Sequence, residues 1–122
     1  MQESGEMYLE TIYVLSNSNS AVRAIDVSRE LGVSKPSVSR ALRILKDGGF
    51  LSVDTNGSIT LSDIGKEYAE KIYDRHTVLT ELLISFGTDE KTASEDACRI
   101  EHVISDESIR VIKNVLGKNK TA

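Results

Sequence analysis

The Asn56-Gly57 pair constrains this chain more than any other feature. It lies between Phe50-Leu51-Ser52-Val53 and Ser58-Ile59-Thr60-Leu61, two short runs that read as strands. Asn-Gly between such runs is a strong hairpin signal. The reading is a strand over 50–53, a turn at Asp54-Thr55-Asn56-Gly57, and a returning strand over 58–61. Two strands alone are marginal in water, so the hairpin must rest on helices. What precedes it supplies them. Ala24 to Leu31 reads as a short helix stopped by Gly32, with Ile25, Val27 and Leu31 as its core positions. A second helix follows, with Ser34 as N-cap, Pro36 in the first turn and Val38, Leu42 and Leu45 as an inward stripe. It ends at Asp47-Gly48-Gly49. Helix, glycine turn, helix and hairpin in that order make a winged helix-turn-helix.

The second of these helices has the chemistry of a DNA reader. Lys35, Arg40, Arg43 and Lys46 against Asp47 give residues 34–50 a local charge of +3, although the chain as a whole carries −4. Hydroxyls and exposed amides at a helix start can meet phosphates or base edges, and arginine can bond guanine through two hydrogen bonds. The candidate contacts are Ser34, Lys35, Pro36 (which shapes the helix start), Ser37, Ser39 and Arg40, with Arg43 and Asn56 secondary.

The remainder is helical. Tyr8, Leu9, Ile12, Tyr13 and Leu15 predict a first helix from Glu3 to about Ser16, ended by the polar run Asn17-Ser18-Asn19-Ser20. Ser62 caps a long helix whose apolar positions Tyr68, Ile72, Val78, Leu79, Leu82, Leu83 and Phe86 carry it to Gly87. Thr88-Asp89-Glu90 starts another, predicted to run through Cys98 to Val103 or Ile104. Ser105-Asp106-Glu107 starts the last, with Ile109, Val111, Ile112, Val115 and Leu116 apolar and a frayed tail over Lys118 to Ala122. Apolar residues left over in these last two helices predict a dimer interface. The fold class is therefore mainly α with a small β-hairpin. A winged helix-turn-helix DNA-binding domain over 1–64 precedes a helical dimerisation and metal-binding domain over 65–122.

On a helix Cys98, Glu101 and His102 stand at i, i+3 and i+4, one face of metal-ligand residue types, within a 89–107 segment of local charge −5. Three donors are an incomplete shell. Met7 and Glu10 on the first helix, and His76 on the long one, are available to complete it. Spacing alone favours the plainer assignment of Cys98 as a small buried hydrophobe beside a solvated Glu101 and His102. A single cysteine forms no internal disulfide, and the acidic start Met-Gln-Glu-Ser-Gly-Glu has no signal-peptide core. With no membrane-length apolar run, a cytoplasmic protein is expected.

Together, Met7-Tyr8-Leu9, Arg75-His76 and Cys98-Arg99-Ile100-Glu101-His102 behind a winged helix give a chain that resembles the diphtheria toxin repressor and manganese transport regulator family. The resemblance implies a metal-activated transcriptional repressor binding a palindromic operator as a homodimer. It implies no enzyme activity, no small-molecule substrate and no membrane. Metal homeostasis genes are the implied targets. The implied metal ligands are Met7, Glu10, His76, Cys98, Glu101 and His102. Met7 and Cys98 match the iron-responsive branch and Glu10 the manganese-responsive one. The soft sulfur donors put Fe²⁺ first and Mn²⁺ next. Thr80 and Ser94 stand where the iron branch has ligands of an ancillary site, which makes that site doubtful here in that form. The β-barrel domain of longer relatives is expected to be absent. A winged-helix regulator answering to an organic ligand or to oxidation of Cys98 is the alternative. A hydrolase with Glu101 as base and a metal-storage module rank below it.

Overall fold

The computed structural model describes residues 1–18 and 21–117. The elements are α1 (Glu3–Ser18), α2 (Ala24–Leu31), α3 (Lys35–Asp47), β1 (Leu51–Val53), β2 (Ile59–Leu61), α4 (Asp63–Ser85), α5 (Glu90–Ile100) and α6 (Asp106–Leu116). They form two compact units, divided between Glu70 and Lys71 within α4.

In the first unit Leu9 and Ile12 of α1, Val27 of α2, and Val38, Leu42 and Leu45 of α3 meet in one core with Leu51 and Ile59 from the hairpin and Ala69 from α4. The inward stripe expected on α3 is buried at all three positions. Ser34 caps that helix, its Oγ accepting from the Ser37 N–H at 3.3 Å. Ile25 is not a core residue. Val27 and Leu31 are four apart and share the inward face, whereas two residues' offset turns Ile25 about 200° away from Val27. Val22, ahead of α2, is buried instead. Its carbonyl accepts from the Ile59 N–H at 2.8 Å, which ties the hairpin to the helices.

The strands pair antiparallel with Leu51 opposite Leu61, Ser52 opposite Thr60 and Val53 opposite Ile59. β1 thus begins one residue later than expected and β2 starts at Ile59. The Asp54 N–H donates to the Ser58 carbonyl at 3.0 Å and extends this register by one pair, leaving the loop Thr55-Asn56-Gly57. The Gly57 N–H donates to the Asp54 carbonyl at 3.0 Å, and Asp54 Oδ1 accepts from the Asn56 and Ser58 amides at 2.8 and 2.9 Å. Gly57 is left-handed, with φ 83°, while Asn56 is not. This is a type I turn closed by glycine, not the two-residue turn that Asn-Gly most often marks.

α1 runs two residues past its expected end. Ser16 and Ser18 return their hydroxyls to the carbonyls of Ile12 and Val14, at 2.7 and 3.5 Å, and so stay compatible with helix. The rest of the expected turn, Asn19 and Ser20, and the tail Lys118 to Ala122 lie outside the described residues.

α4 approaches the chain ahead of the hairpin very closely at its start. Ser62 Oγ accepts from the Gly65 N–H at 3.1 Å and donates to the Gly49 carbonyl at 2.7 Å. A Cβ at Gly65 would lie 1.9 Å from the Phe50 carbonyl oxygen. Three residues on, Tyr68 meets Phe50 edge to face with ring centroids 6.0 Å apart.

In the second unit Leu79, Ala97 and Ile109 form a small core flanked by Ile100, Ile104 and Ile112. α5 stops at Ile100, so Glu101, His102 and Val103 form a turn and not the last helical residues that spacing suggested. The Val103 and Ile104 amides both return to the Ile100 carbonyl at 3.0 Å, which tightens and ends the helix. Phe86, expected among the apolar positions that carry α4 to Gly87, is 75% exposed. It lies beyond the last helical residue, Ser85, so the helical periodicity no longer aims it. Val103, Val111 and Val115 are also exposed. No described helix is long and apolar enough to cross a membrane.

The Gly65 contact gives a direct prediction. Gly65→Ala forces a backbone shift, because the obstructing atom is a carbonyl oxygen and not a flexible side chain. Denaturant unfolding should show a loss at or above the upper end of the about 1–3 kcal/mol usual for overpacking.

Candidate metal centre and nucleic-acid interface

The site in the second unit is built around Glu101. Its residue is 0% exposed, in the turn directly after α5. Oε1 lies 3.3 Å from Nδ1 of His76 on α4. Oε2 is buried and meets no hydrogen-bond donor among the described residues. A carboxyl group cut off from water is costly unless a cation or a donor compensates it. A divalent ion is one such partner, and carboxylate and imidazole are among its usual ligands. The residues present therefore fit a metal.

His76 is positioned from both ring nitrogens. Nε2 lies 3.3 Å from Ser94 Oγ on α5, while the His76 carbonyl accepts from Thr80 Oγ1 at 2.7 Å. Ser94 and Thr80 are the two residues for which the sequence resemblance implied ancillary-ligand positions. Here both serve His76 itself. Cys98 is half-buried on α5 and His102 half-buried in the turn. Met7 and Glu10 lie one turn apart on α1 in the first unit, both half-buried. Within the second unit, then, the structure brings His76 and Glu101 together.

Arg75 was visible in the sequence only as half of the Arg75-His76 pair. Its Nη1 donates to the Glu101 carbonyl at 3.0 Å and its Nη2 to Asp106 Oδ1 at 2.5 Å. Lys71 Nζ reaches the other Asp106 oxygen at 3.2 Å. The Arg75 and Lys71 hydrogen bonds hold the Asp106 carboxyl below its usual value of 3.8. Farther along, Lys113 of α6 pairs with Asp74 of α4 at 2.6 Å. Another buried acid, Glu6 of α1, accepts from the Tyr68 hydroxyl at 3.0 Å. Nothing in the local spacing announces these pairings, since each joins residues far apart in sequence.

The DNA candidates occupy the outward side of α3. Ser34, Lys35, Pro36, Ser39, Arg40 and Arg43 are exposed and Ser37 is half-buried. Asn56 is exposed at the tip of the hairpin. Ser37 and Arg40 also line a groove of about 670 Å³ with Ile44, Tyr8, Gly5 and Met1. Sequence reading did not find it, because it requires the start of α1 to lie along α3.

Comparison with known proteins finds a family match on each half of the chain. Residues 1–58 match the family described as "Iron dependent repressor, N-terminal DNA binding domain". Residues 62–122 match "Iron dependent repressor, metal binding and dimerisation domain". An uncharacterised HTH-type transcriptional regulator of Methanocaldococcus jannaschii is 35% identical over 98% of this chain and 98% of its own length. The diphtheria toxin repressor of Corynebacterium diphtheriae is 30% identical over 93% of this chain, which spans 51% of that protein. A solved manganese-dependent transcriptional repressor in complex with manganese superposes with a TM-score of 0.86 at 27% identity. That match covers 93% of this chain and 52% of the other. The chain thus spans about half the length of the last two.

The lowered Asp106 value has a consequence with a definite sign. A carboxyl group held below 3.8 in the folded chain adds stability above that pH. That contribution is lost as pH falls through the lower folded value. Asp106→Asn should therefore flatten the pH dependence of the melting temperature below pH 3.8. Added salt should weaken the effect, because the aspartate is exposed.

Proposed function

Because the chain belongs to the iron-dependent repressor family, we propose that it is a metal-activated transcriptional repressor that binds a palindromic operator as a homodimer in the cytoplasm. The observation that carries this reading is the sequestered Glu101 carboxyl group, with one oxygen on His76 and the other unmet among the described residues.

In this reading His76, Cys98, Glu101 and His102 are the donors from the C-terminal half, and Met7 and Glu10 are those from α1. A bound divalent ion supplies positive charge that offsets the gathered carboxylates. Glu101 and His76 present oxygen and imidazole nitrogen, while Met7 and Cys98 present sulfur. The sulfur pair favours Fe²⁺, with Mn²⁺ next, because thioether and thiolate are soft ligands. The M. jannaschii relative carries no metal in its name, and the other two comparisons point to different regulators. The donor chemistry is therefore what supports the preference. Drawing ligands from α1 and from the C-terminal half makes the arrangement of a 1–64 DNA-binding domain and a 65–122 dimerisation domain responsive to occupancy.

On the DNA side, Ser34, Lys35, Pro36, Ser37, Ser39 and Arg40 are the proposed contact surface. Lys35 and Arg40 offer charge to phosphates or guanine, and Ser34 already holds the helix start in place. In a two-fold dimer the paired α3 helices must stand about 34 Å apart, or a multiple of that, to enter successive major grooves. The apolar side chains exposed after α4, in the turn and on α6 (Phe86, Val103, Val111 and Val115) support burial against a second copy.

The test is operator binding under anaerobic, reducing conditions, using duplexes selected from a random pool. Fe²⁺ or Mn²⁺ should raise affinity, EDTA should abolish the gain, and affinity should fall steeply with salt. Arg40→Ala should cost about 1–3 kcal/mol of binding. DNA binding of equal strength with and without chelator would overturn the reading.

A further inference from the structure

We propose that Arg75 is a positioning residue for the metal centre, a single guanidinium that braces the Glu101 turn against the start of α6. The inference rests on the reading of Glu101 as a metal donor.

The argument begins with how α5 ends. A helix end leaves its last carbonyls without partners inside the helix. The Glu101 N–H still closes on the Ala97 carbonyl at 2.9 Å, but the Val103 and Ile104 amides then share the Ile100 carbonyl, both at 3.0 Å. The Glu101 carbonyl takes a side-chain donor instead, Arg75 Nη1, at 3.0 Å. The other terminal nitrogen of the same planar group bonds Asp106, the first residue of α6. One rigid fork therefore spans both ends of the 101–106 connection, which also holds His102.

The contacts are not there chiefly for electrostatic stability. The Asp106 side chain is 70% exposed, and an exposed pair contributes little. The arginine side chain is by contrast only 12% exposed, and its Nε is buried without an acceptor among the described residues. A buried donor left unmet carries a cost. The side chain sits where its two terminal nitrogens reach Glu101 and Asp106, not where its own hydrogen bonding is complete. Fixing the backbone of residue 101 fixes where its carboxyl group points. Residues that orient a ligand in this way affect metal affinity by about 10–100-fold.

Lysine cannot replace the fork, since one ammonium cannot serve two acceptors in fixed directions. Loss of Arg75 does leave Asp106 with Lys71, at 3.2 Å, so the fold has a remaining tie.

The experiment is titration of the full-length chain with Co²⁺ alone under anaerobic conditions, followed by the visible absorption of the bound ion. Arg75→Gln should lower Co²⁺ affinity about tenfold or more and change the ligand-field spectrum. Arg75→Lys should stay weakened despite its charge. Asp106→Asn, which touches no proposed donor, should weaken binding less, and the double variant Arg75→Gln/Asp106→Asn should be no worse than Arg75→Gln. Unchanged affinity and spectrum in Arg75→Gln would overturn the inference, as would a lowered melting temperature with binding intact. If Arg75→Gln does not fold, Asp106→Asn decides, and unchanged affinity there overturns it. Failure of the unsubstituted chain to bind Co²⁺ would instead sink the functional reading, and this inference with it.

Discussion

The burial of Glu101 is the constraint on which the C-terminal half depends. A carboxylate removed from water costs several kcal/mol unless its charge and lone pairs are compensated. The core nearby is small, with Leu79, Ala97 and Ile109 at its centre, and cannot absorb such a cost lightly. The surroundings instead organise the group. His76 faces one oxygen, Ser94 holds the far side of the imidazole, and Arg75 takes the glutamate's own carbonyl. An arrangement that sequesters a carboxyl group while leaving one oxygen unmet among the described residues costs stability, which the proposed metal would return on binding.

The N-terminal half follows different physics. Its core draws on four helices and both strands, and every inward position of α3 is filled by a branched apolar residue. With that stripe buried, Lys35, Arg40 and Arg43 are left on the outside without further instruction. The hairpin is held at three places: by Leu51 and Ile59 in the core, by the Val22 carbonyl, and by the approach of Gly65 to Phe50. A wing secured in this way can present its tip while its base stays fixed.

Much of this was legible in the sequence for identifiable reasons. The caps at Ser34 and Ser62 are local, each a hydroxyl oxygen accepting an amide three residues on, and local bonds can be read from spacing. The glycine after α2 and the stripe on α3 are local in the same sense. What escaped was long-range or at element ends. Glu101 and His102 left the helix because the chain turns after Ile100, and Phe86 lost its inward aim by lying past Ser85. Ile25 showed the limit of reading apolar residues without their angle around the helix. Arg75 could not be assigned a role from its neighbours, since its partners lie 26 and 31 residues away. Ser94 offers no metal-ligand chemistry of its own, yet its hydroxyl lies 3.3 Å from the His76 ring.

The most direct measurement compares the melting temperature of the unsubstituted chain and of Glu101→Gln, each with and without saturating Mn²⁺. A ligand that binds only the folded state raises stability in proportion to the logarithm of its concentration over Kd. If Glu101 is the buried donor, Mn²⁺ raises the melting temperature of the unsubstituted chain and leaves that of Glu101→Gln nearly unchanged. The metal-free Glu101→Gln chain should then melt no lower than its parent, since the buried carboxyl group is gone. An equal Mn²⁺ shift in both proteins would contradict the account.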